Sequence, residues 1–254
     1  MLRKIFSKVS GRSEQQIMND QLRSAAIKGK VRRVRKLLKD GAEVDYKDVN
    51  KLTPLYFAAS HGFADVARAL LEHGADPNVA REDSLGPPLV QAAYHSHMDV
   101  LKLLVEHKAD INAINYSQRT GLHEAVWRNQ PDPAFLLLKA GADPNTRDRL
   151  GGTPLSDAIG FDYRKIALKL IQHGADVTVT DKYGDDMRKK ALNKGWTEVV
   201  EAIDRRQRED EENRRRAAED AERQKNRLAA EIAQAPVLQN EVVVKKPPAF
   251  KARL

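Results

Sequence analysis

The chain has 254 residues, of which 41% are apolar, 31% charged and only 6% aromatic, and it contains no cysteine. The lack of cysteine excludes disulfides, thiolate nucleophiles and thiolate metal sites. No apolar run approaches the roughly 20 residues that a membrane-spanning helix needs, so we expect a soluble chain. Few aromatic residues and a mean hydropathy of -0.61 favour a thin, well-solvated structure built on alanine and leucine.

The net charge of +8 is concentrated at the two ends of the chain. Residues 1–18 and residues 235–254 each carry four cations against one carboxylate. Residues 1–12 place apolar side chains on one helical face and cations largely on the other, which predicts a basic amphipathic segment. Peripheral membrane contact, docking on a partner, a targeting sequence and an inert tail all stay open for this segment.

A phrase of the type Leu-x-x-Gly-Ala-Asp recurs along the chain at spacings of 33, 34, 33 and 33 residues, beginning at Leu38, Leu71, Val105, Leu138 and Ile171. A second phrase, of the type Thr-Pro-Leu, keeps the same period and begins at Thr53, Pro87, Thr120 and Thr153. Two independent phrases that share one period predict a tandem repeat of about 33 residues.

Each repeat has the start and stop signals of two helices. Thr53 is a good N-cap and Pro54 falls at the first helical position, where its missing N–H costs nothing. The apolar residues that follow have the three- and four-residue spacing of a second helix, and Gly74 suits the left-handed conformation that ends it. Because Lys108 replaces that glycine in the third repeat, and Pro87 replaces the capping threonine, we expect that repeat to be locally weaker.

These residues resemble the ankyrin repeat, whose Thr-Pro-Leu-His opening and Gly-Ala-Asp-x-Asn close are matched most fully by residues 49–81. The resemblance extends over residues 19–204. It implies an all-α fold with short β-turn fingers, in which each repeat adds one turn and two antiparallel helices to a curved solenoid. Neighbouring repeats must stack, since a short helix pair cannot bury its apolar stripe alone.

The sequence predicts four regions. A basic amphipathic segment is followed by the repeat array, a charged solvated helix and a flexible basic tail, at residues 1–18, 19–204, 205–234 and 235–254. The individual repeats are placed at about 19–48, 49–81, 82–115, 116–148, 149–181 and 182–204, the last being a polar cap. Carboxylates that stand four residues before arginines, as Glu211 before Arg215 and Glu212 before Arg216, support the charged helix. The tail is disordered, or its Val242–Val244 run adds a strand to a partner.

No pattern in the chain predicts catalysis, a metal site or a cofactor. His73, His107 and His173 occupy one equivalent position of the repeat, which indicates a structural role. Asp76 and its equivalents recur every 33 or 34 residues, so they should cap turns on successive repeats and not converge on a metal. The phosphate-binding loop and the zinc-protease motif are both absent, and we expect no enzyme activity.

The resemblance implies that a protein partner binds across the finger tips and the exposed ends of the first helices. The residues at these positions that we expect to bind it are Tyr94, His95, Tyr116, Arg119, Trp127, Arg128, Arg149, Phe161 and Tyr183. Tyrosine, tryptophan and arginine dominate binding energy at interfaces. The alternative is that each large ring only covers the helix of its neighbour.

The second helix of the first repeat predicts a different surface. It turns apolar residues inward and leaves a basic patch of five cations outside, namely Arg32, Arg33, Arg35, Lys36 and Lys39. This patch is either a solvated helix back or a contact for phosphates or an acidic protein. Nucleic acid is the weaker interpretation, because no aromatic residue for base stacking is interleaved with the cations.

The function that these features predict is a non-enzymatic scaffold or adaptor that holds a partner protein in its concave groove. The alternative is an adaptor that binds an anionic surface, a nucleic acid or a membrane, through the first repeat and the N-terminus. We expect a cytoplasmic chain that is monomeric without its partner. A secreted bacterial effector acting in a host cytosol would have the same sequence features.

Overall fold

A computed structural model describes residues 13–79, 86–180 and 184–234. Residues 1–12, 235–254 and Tyr183, about which the sequence makes predictions, lie outside the described residues. The chain divides into two compact units, the first ending at Gln207 and the second beginning at Arg208. The sequence places the corresponding boundary three residues earlier, between residues 204 and 205.

The first unit is built from paired helices. The first helix of each pair is α1 (Glu14–Ile27), α3 (Pro54–His61), α5 (Pro88–Tyr94), α7 (Gly121–Trp127), α9 (Pro154–Gly160) or α11 (Met187–Asn193). The second is α2 (Val31–Lys39), α4 (Ala64–Glu72), α6 (Met98–Glu106), α8 (Pro131–Lys139), α10 (Arg164–Gln172) or α12 (Thr197–Gln234). First helices pack on first helices along the array, and second helices pack on second helices from α2 to α10. No helix in the described part has the length and apolar content to cross a bilayer.

The fingers between the pairs contain turns and almost no strand. Among the described residues, the antiparallel pairing is limited to two isolated bridges, Ile114 with Thr120 and Thr180 with Asp186. The predicted all-α solenoid with β-turn fingers is therefore confirmed.

The first helices begin as the sequence predicts. The Thr53 hydroxyl accepts a hydrogen bond from the Tyr56 amide at 3.2 Å, and Pro54 is the first helical residue. Asp186 takes this capping role in the sixth repeat, whereas Pro87, at the start of α5, provides no side-chain cap. The third repeat therefore lacks this side-chain cap, as its sequence indicates.

One leucine in each first helix of repeats two to five forms the centre of the stack. Leu55, Leu89, Leu122 and Leu155 occupy equivalent positions and are fully buried. The sixth repeat closes the apolar core with further buried side chains, which are Met187, Ala191, Val199, Val200 and Ile203. Leucine and alanine at fixed positions thus form one continuous core through the first unit.

The first repeat begins earlier than the sequence indicates. Ser13 and Gln16 form a reciprocal capping box at the start of α1, and Met18 and Leu22 are buried. Residues 14–18, assigned from the sequence to the N-terminal segment, therefore belong to the first helix of the array.

Backbone strain is more widely spread than the sequence indicates. Gly74 has a φ of 83° and Lys108, its non-glycine equivalent, a φ of 60°. The turns inside repeats three, four and five also hold non-glycine residues with positive φ, at Ser96, Asn129 and Asp162. Lys51 and Gln118, on the fingers of repeats two and four, also have positive φ. Left-handed φ is costly for residues other than glycine, so this cost is shared by repeats two to five and not confined to the third.

A ladder of hydrogen bonds joins successive repeats. The backbone N–H of the Gly-Ala-Asp aspartate in one repeat donates to a side chain of the repeat before it. The pairs are Asp76 to Asp45 at 3.1 Å, Asp110 to Asn78 at 2.7 Å, Asp143 to Asn112 at 2.9 Å and Asp176 to Asn145 at 2.6 Å. Each of these aspartates also accepts a hydrogen bond from the amide two residues later, which confirms the predicted turn-capping role.

The second unit contains the charged part of α12. The side chains of residues 211–230 are all exposed. Of the predicted pairs named above, Glu212 with Arg216 forms at 2.6 Å. Arg215 instead turns toward the C-terminus and pairs with Glu219 at 3.1 Å, because carboxylates stand four residues away on both sides of it.

Gly74→Ala tests the cost of the left-handed turn. An added Cβ would meet nothing within 4 Å, so the substitution strains only the backbone, and we expect the free energy of unfolding to fall by about 1 kcal/mol. Lys108→Gly should raise it by a smaller amount, since glycine also gains entropy in the unfolded chain. Urea denaturation measures both, and destabilisation by both substitutions would contradict this account.

Asp45→Asn tests the one side-chain acceptor of these four bonds that is a carboxylate. Burial raises the pKa of Asp45 in the folded chain, and the charge of Asp76 raises it further, while the hydrogen bond from the Asp76 amide opposes both. The wild type therefore loses stability as pH rises from the ordinary carboxyl pKa through the raised one. Asparagine does not ionise, so the variant does not lose this stability. Its melting temperature should be above that of the wild type near neutral pH, and the difference should disappear in acid.

Asn78→Asp makes the reverse change one repeat further along the ladder. We expect it to melt lower than the wild type near neutral pH and to approach it as pH falls. A difference between Asp45→Asn and wild type that stays constant across the titration would contradict the assigned cause.

Candidate functional site

Five of the predicted partner-binding residues lie where the first helices end, namely Tyr94, His95, Trp127, Arg128 and Phe161. Tyr94 and Trp127 are the last residues of α5 and α7, and Arg128 and Phe161 are the residues that follow α7 and α9. Because these helices end at equivalent positions, their last residues form a row across repeats three to five.

A groove of about 420 Å³ separates the first helices and fingers of repeats three and four. Five of the predicted residues line it, which are Tyr94, His95, Tyr116, Arg119 and Trp127. The other lining residues are Val90, Gln91, Asn115, Ser117 and Glu124. The structure thus brings the centre of the predicted set together in one concave site.

Arg119 differs from its prediction as an exposed contact residue, because its side chain is only 12% exposed. One of its terminal nitrogens donates to the His123 carbonyl at 3.1 Å and to Asp157 at 3.3 Å. Its Nε lies 3.5 Å from a Glu124 oxygen, and its guanidinium carbon lies 4.5 Å from the centroid of the Trp127 ring. Arg119 is thus a largely buried support on which the Trp127 indole packs.

Glu124 and Asn115 form a buried polar pair that the sequence did not indicate. The Asn115 side-chain amide donates to Glu124 at 2.9 Å, while its carbonyl oxygen accepts from the amides of Ser117 and Arg119. Burial raises the pKa of Glu124, and Arg119 and Asn115 oppose this shift. In two other fingers an aspartate, Asp48 or Asp148, accepts the same hydrogen bond from the amide four residues later. Only an amide side chain such as that of Asn115 can also donate to the Glu124 carboxylate.

The aromatic side chains of the row remain accessible. Trp127 is 47% exposed and Tyr116 is 50% exposed. The Phe161 and Trp127 rings are nearly perpendicular, with centroids 4.8 Å apart, and the Arg128 guanidinium lies 4.7 Å from the Tyr94 centroid. Large rings are therefore held in place by their neighbours but still face solvent, as interface anchors do.

The last two predicted residues are Arg149 and Tyr183. Arg149 is exposed on the finger of the fifth repeat, and its backbone amide donates to the Ser117 carbonyl at 2.9 Å. This bond joins two adjacent fingers without placing the Arg149 side chain in the groove. Tyr183 lies outside the described residues, so its place in the site stays a prediction.

The histidines near the groove differ in environment. His123 is fully buried, and its pKa falls to about 4 because of burial and, secondarily, the charge of Arg119. Its Nδ1 accepts from the Thr120 amide at 3.2 Å, so it is a neutral structural residue. His95 is exposed beside the Tyr94 ring. Partial burial lowers the pKa of His95, and the nearby charges of His97, Arg128 and His61 lower it further.

The basic patch on α2 is exposed as the sequence predicts. All five cations face solvent, while Val34, Leu37 and Leu38 are buried. Arg33 donates to Gln21 at 2.8 Å. Among residues 13–79, 86–180 and 184–234, no group of three or more histidine, aspartate or glutamate side chains is placed to hold a metal ion.

Comparisons with known proteins match two stretches of the array. The family model described as "Ankyrin repeats (3 copies)" matches residues 18–81, and that described as "Ankyrin repeats (many copies)" matches residues 89–138. The structure places two helix pairs in the first stretch or at its start, and it places the groove in the second.

Curated relatives share short parts of the chain. Mouse protein phosphatase 1 regulatory subunit 27 is 39% identical over 62 residues, which are 24% of this chain and 40% of the relative. A putative ankyrin repeat protein of fowlpox virus is 41% identical over 54 residues, which are 21% of this chain and 7% of the relative. An ankyrin repeat and KH domain-containing protein of Caenorhabditis briggsae is 40% identical over 62 residues, or 2% of its length. The chain therefore spans two fifths or less of these relatives.

Arg119→Met tests the buried support beneath Trp127. It would leave Glu124 and Asp157 without their shared cation in a poorly hydrated site, and we expect the free energy of unfolding to fall by about 3 kcal/mol. Glu124→Gln in the same chain should recover part of this loss, because it removes one uncompensated charge. Urea denaturation measures both.

Arg128→Met is the matched control, since it removes an exposed arginine that also lies over a ring. It should cost less than about 1 kcal/mol. Equal losses for the two arginine variants would show that burial does not distinguish them and would contradict the role assigned to Arg119.

Proposed function

Because this chain belongs to the ankyrin repeat proteins, we propose that it is a non-enzymatic adaptor that binds a partner protein across repeats three to five. Ankyrin repeats are protein–protein interaction modules, and the resemblance to a phosphatase regulatory subunit fits a role in which the chain positions another protein. The observation that carries the proposal is the groove between Tyr94, Tyr116 and Trp127.

The charges around the groove support a protein ligand. Two carboxylates of this region, Glu124 and Asp157, are engaged by Arg119. Arg128 and Arg149 remain exposed. A partner segment that carries an apolar anchor and flanking carboxylates would complement this combination of exposed rings and cations.

The rigidity of the rings supports tight binding. Trp127 is held between the Arg119 guanidinium and the Phe161 ring, so little side-chain freedom is left for a partner to remove. Anchors that are already fixed before binding reduce the entropic cost of association. We therefore place the strongest contacts at Trp127 and Tyr94, with Tyr116, Phe161 and Arg128 beside them.

Tyr94→Ala and Trp127→Ala, made separately and together, test the proposal. Each anchor should contribute roughly 2 kcal/mol or more to binding, so the double variant should lose most of its recovery of a partner in quantitative affinity capture with the intact chain. Thermal unfolding is measured in parallel. Trp196→Ala is the control, because it removes the other tryptophan at a position that does not line the groove.

The proposal requires a partner whose recovery falls with the groove variants and not with the control. Lost stability with unchanged partner recovery would assign the rings to packing between neighbouring helices and would defeat the proposal.

A further inference from the structure

The start of the first repeat carries a run of cations without a carboxylate. Residues 28–39 include seven basic residues and no acidic one. All seven are exposed, and they are Lys28, Lys30, Arg32, Arg33, Arg35, Lys36 and Lys39. The run covers the turn between α1 and α2 and the whole of α2.

Four of these cations form a single stripe along α2. Arg32, Arg35, Lys36 and Lys39 follow each other at intervals of three, one and three residues, which places them on one helical face. The row is about 10 Å long at the rise of an α-helix. Arg33 points aside and donates to Gln21. No ion pair joins the four stripe residues to a carboxylate in the described part of the chain.

The first part of the stripe opposes the stability of its own helix. Like charges three and four residues apart repel each other, and a cation in the first turn is unfavourable for the helix dipole. The position of Arg32 is occupied by Asp65, Asp99 and Asp132 in repeats two, three and four, where the dipole favours a carboxylate. Lys36 and Lys39 lie in the last turn, where the dipole favours a cation, so helix stability leaves Arg32 and Arg35 unexplained.

We propose that this stripe, defined by Arg32, Arg35, Lys36 and Lys39, docks the first repeat on an anionic lipid surface. A cluster of four or more exposed arginines and lysines on an amphipathic helix has the charge that such surfaces attract. A membrane surface presents many phosphates and carboxylates in one plane, so it meets the four side chains together. The apolar residues Val34, Leu37 and Leu38 are buried in the repeat, which makes this contact electrostatic and peripheral.

The neighbouring repeats favour a membrane over a nucleic acid duplex. The second helices α2, α4 and α6 pack in sequence. Whereas α2 exposes only cations, α4 and α6 each expose two carboxylates against one cation, namely Asp65 and Glu72 with Arg68, and Asp99 and Glu106 with Lys102. A rod-like polyanion that lay along these helices would meet repulsion immediately beyond the first repeat. Residues 28–39 also contain no aromatic residue on which a base could stack. The stripe shares no residue with the groove, so one array can contact a membrane and a protein partner independently.

Vesicle co-sedimentation of the full chain tests this inference. We compare vesicles of phosphatidylcholine alone with vesicles that contain about one third phosphatidylserine, near physiological ionic strength. The stripe variant carries Arg32→Gln, Arg35→Gln, Lys36→Gln and Lys39→Gln. The matched control carries Arg68→Gln, Lys102→Gln, Lys139→Gln and Lys165→Gln, which remove the same charge from exposed positions spread over four second helices.

We expect the wild type to bind the anionic vesicles and not the neutral ones. The stripe variant should bind at least about tenfold more weakly and the control within about threefold of wild type, and added salt should weaken the wild type. The stripe variant should melt at or above the wild-type temperature, since it loses like-charge repulsion.

Four results would overturn the inference. They are equal losses in the two variants, full binding by the stripe variant, a stripe variant that melts well below wild type, and wild-type binding to duplex DNA that exceeds vesicle binding and is lost with the stripe. The second result would assign any membrane contact to another segment, and the third would assign the cations to folding.

Discussion

The structure of the first unit depends on the burial of one apolar face between neighbouring helix pairs. A pair of helices of seven to nine residues, such as α5 and α6, has too little core to be stable alone. The fully buried leucines at Leu55, Leu89, Leu122 and Leu155 show how the array solves this problem, because each repeat supplies part of the core of the next. Every other feature of the array, from its fingers to its groove, is held in position by this stacking.

The groove arises where the repeats depart from one another. Three first helices place a polar residue at the same position, namely Gln91, Glu124 and Asp157, and Arg119 enters between the last two. The largely buried Arg119 guanidinium pairs with Glu124 and Asp157 and packs against the Trp127 ring. The charge left at the surface is then positive and lies among aromatic rings, which is a chemical character that the repeat itself does not require.

Much of the fold could be read from the sequence, since residues such as Thr53, Pro54 and Gly74 have conformations fixed by local rules. The groove was harder to predict because its key contact joins Arg119 to Asp157, which lies 38 residues later, and no local pattern reports that distance. One signal for the groove was nevertheless present, because Glu124 is a carboxylate within an apolar helix. A second signal concerned the fold. The Ser13 to Gln16 spacing is that of a capping box, which would have placed the start of α1 correctly.

The ladder between repeats has a further consequence for how the array opens. Its last member is the bond from Asp176 to Asn145, and at the next position the Thr178 hydroxyl donates within its own turn, to Asp176. Among the described residues, the fifth repeat therefore offers the sixth no bond of this kind. Exposed ion pairs such as that of Arg164 with Glu198 join the two repeats instead, and such pairs contribute little. In a one-dimensional chain of coupled units, the link with fewer bonds separates first. Amide exchange should therefore begin with the sixth repeat, so that the array shortens from one end and does not melt from its middle.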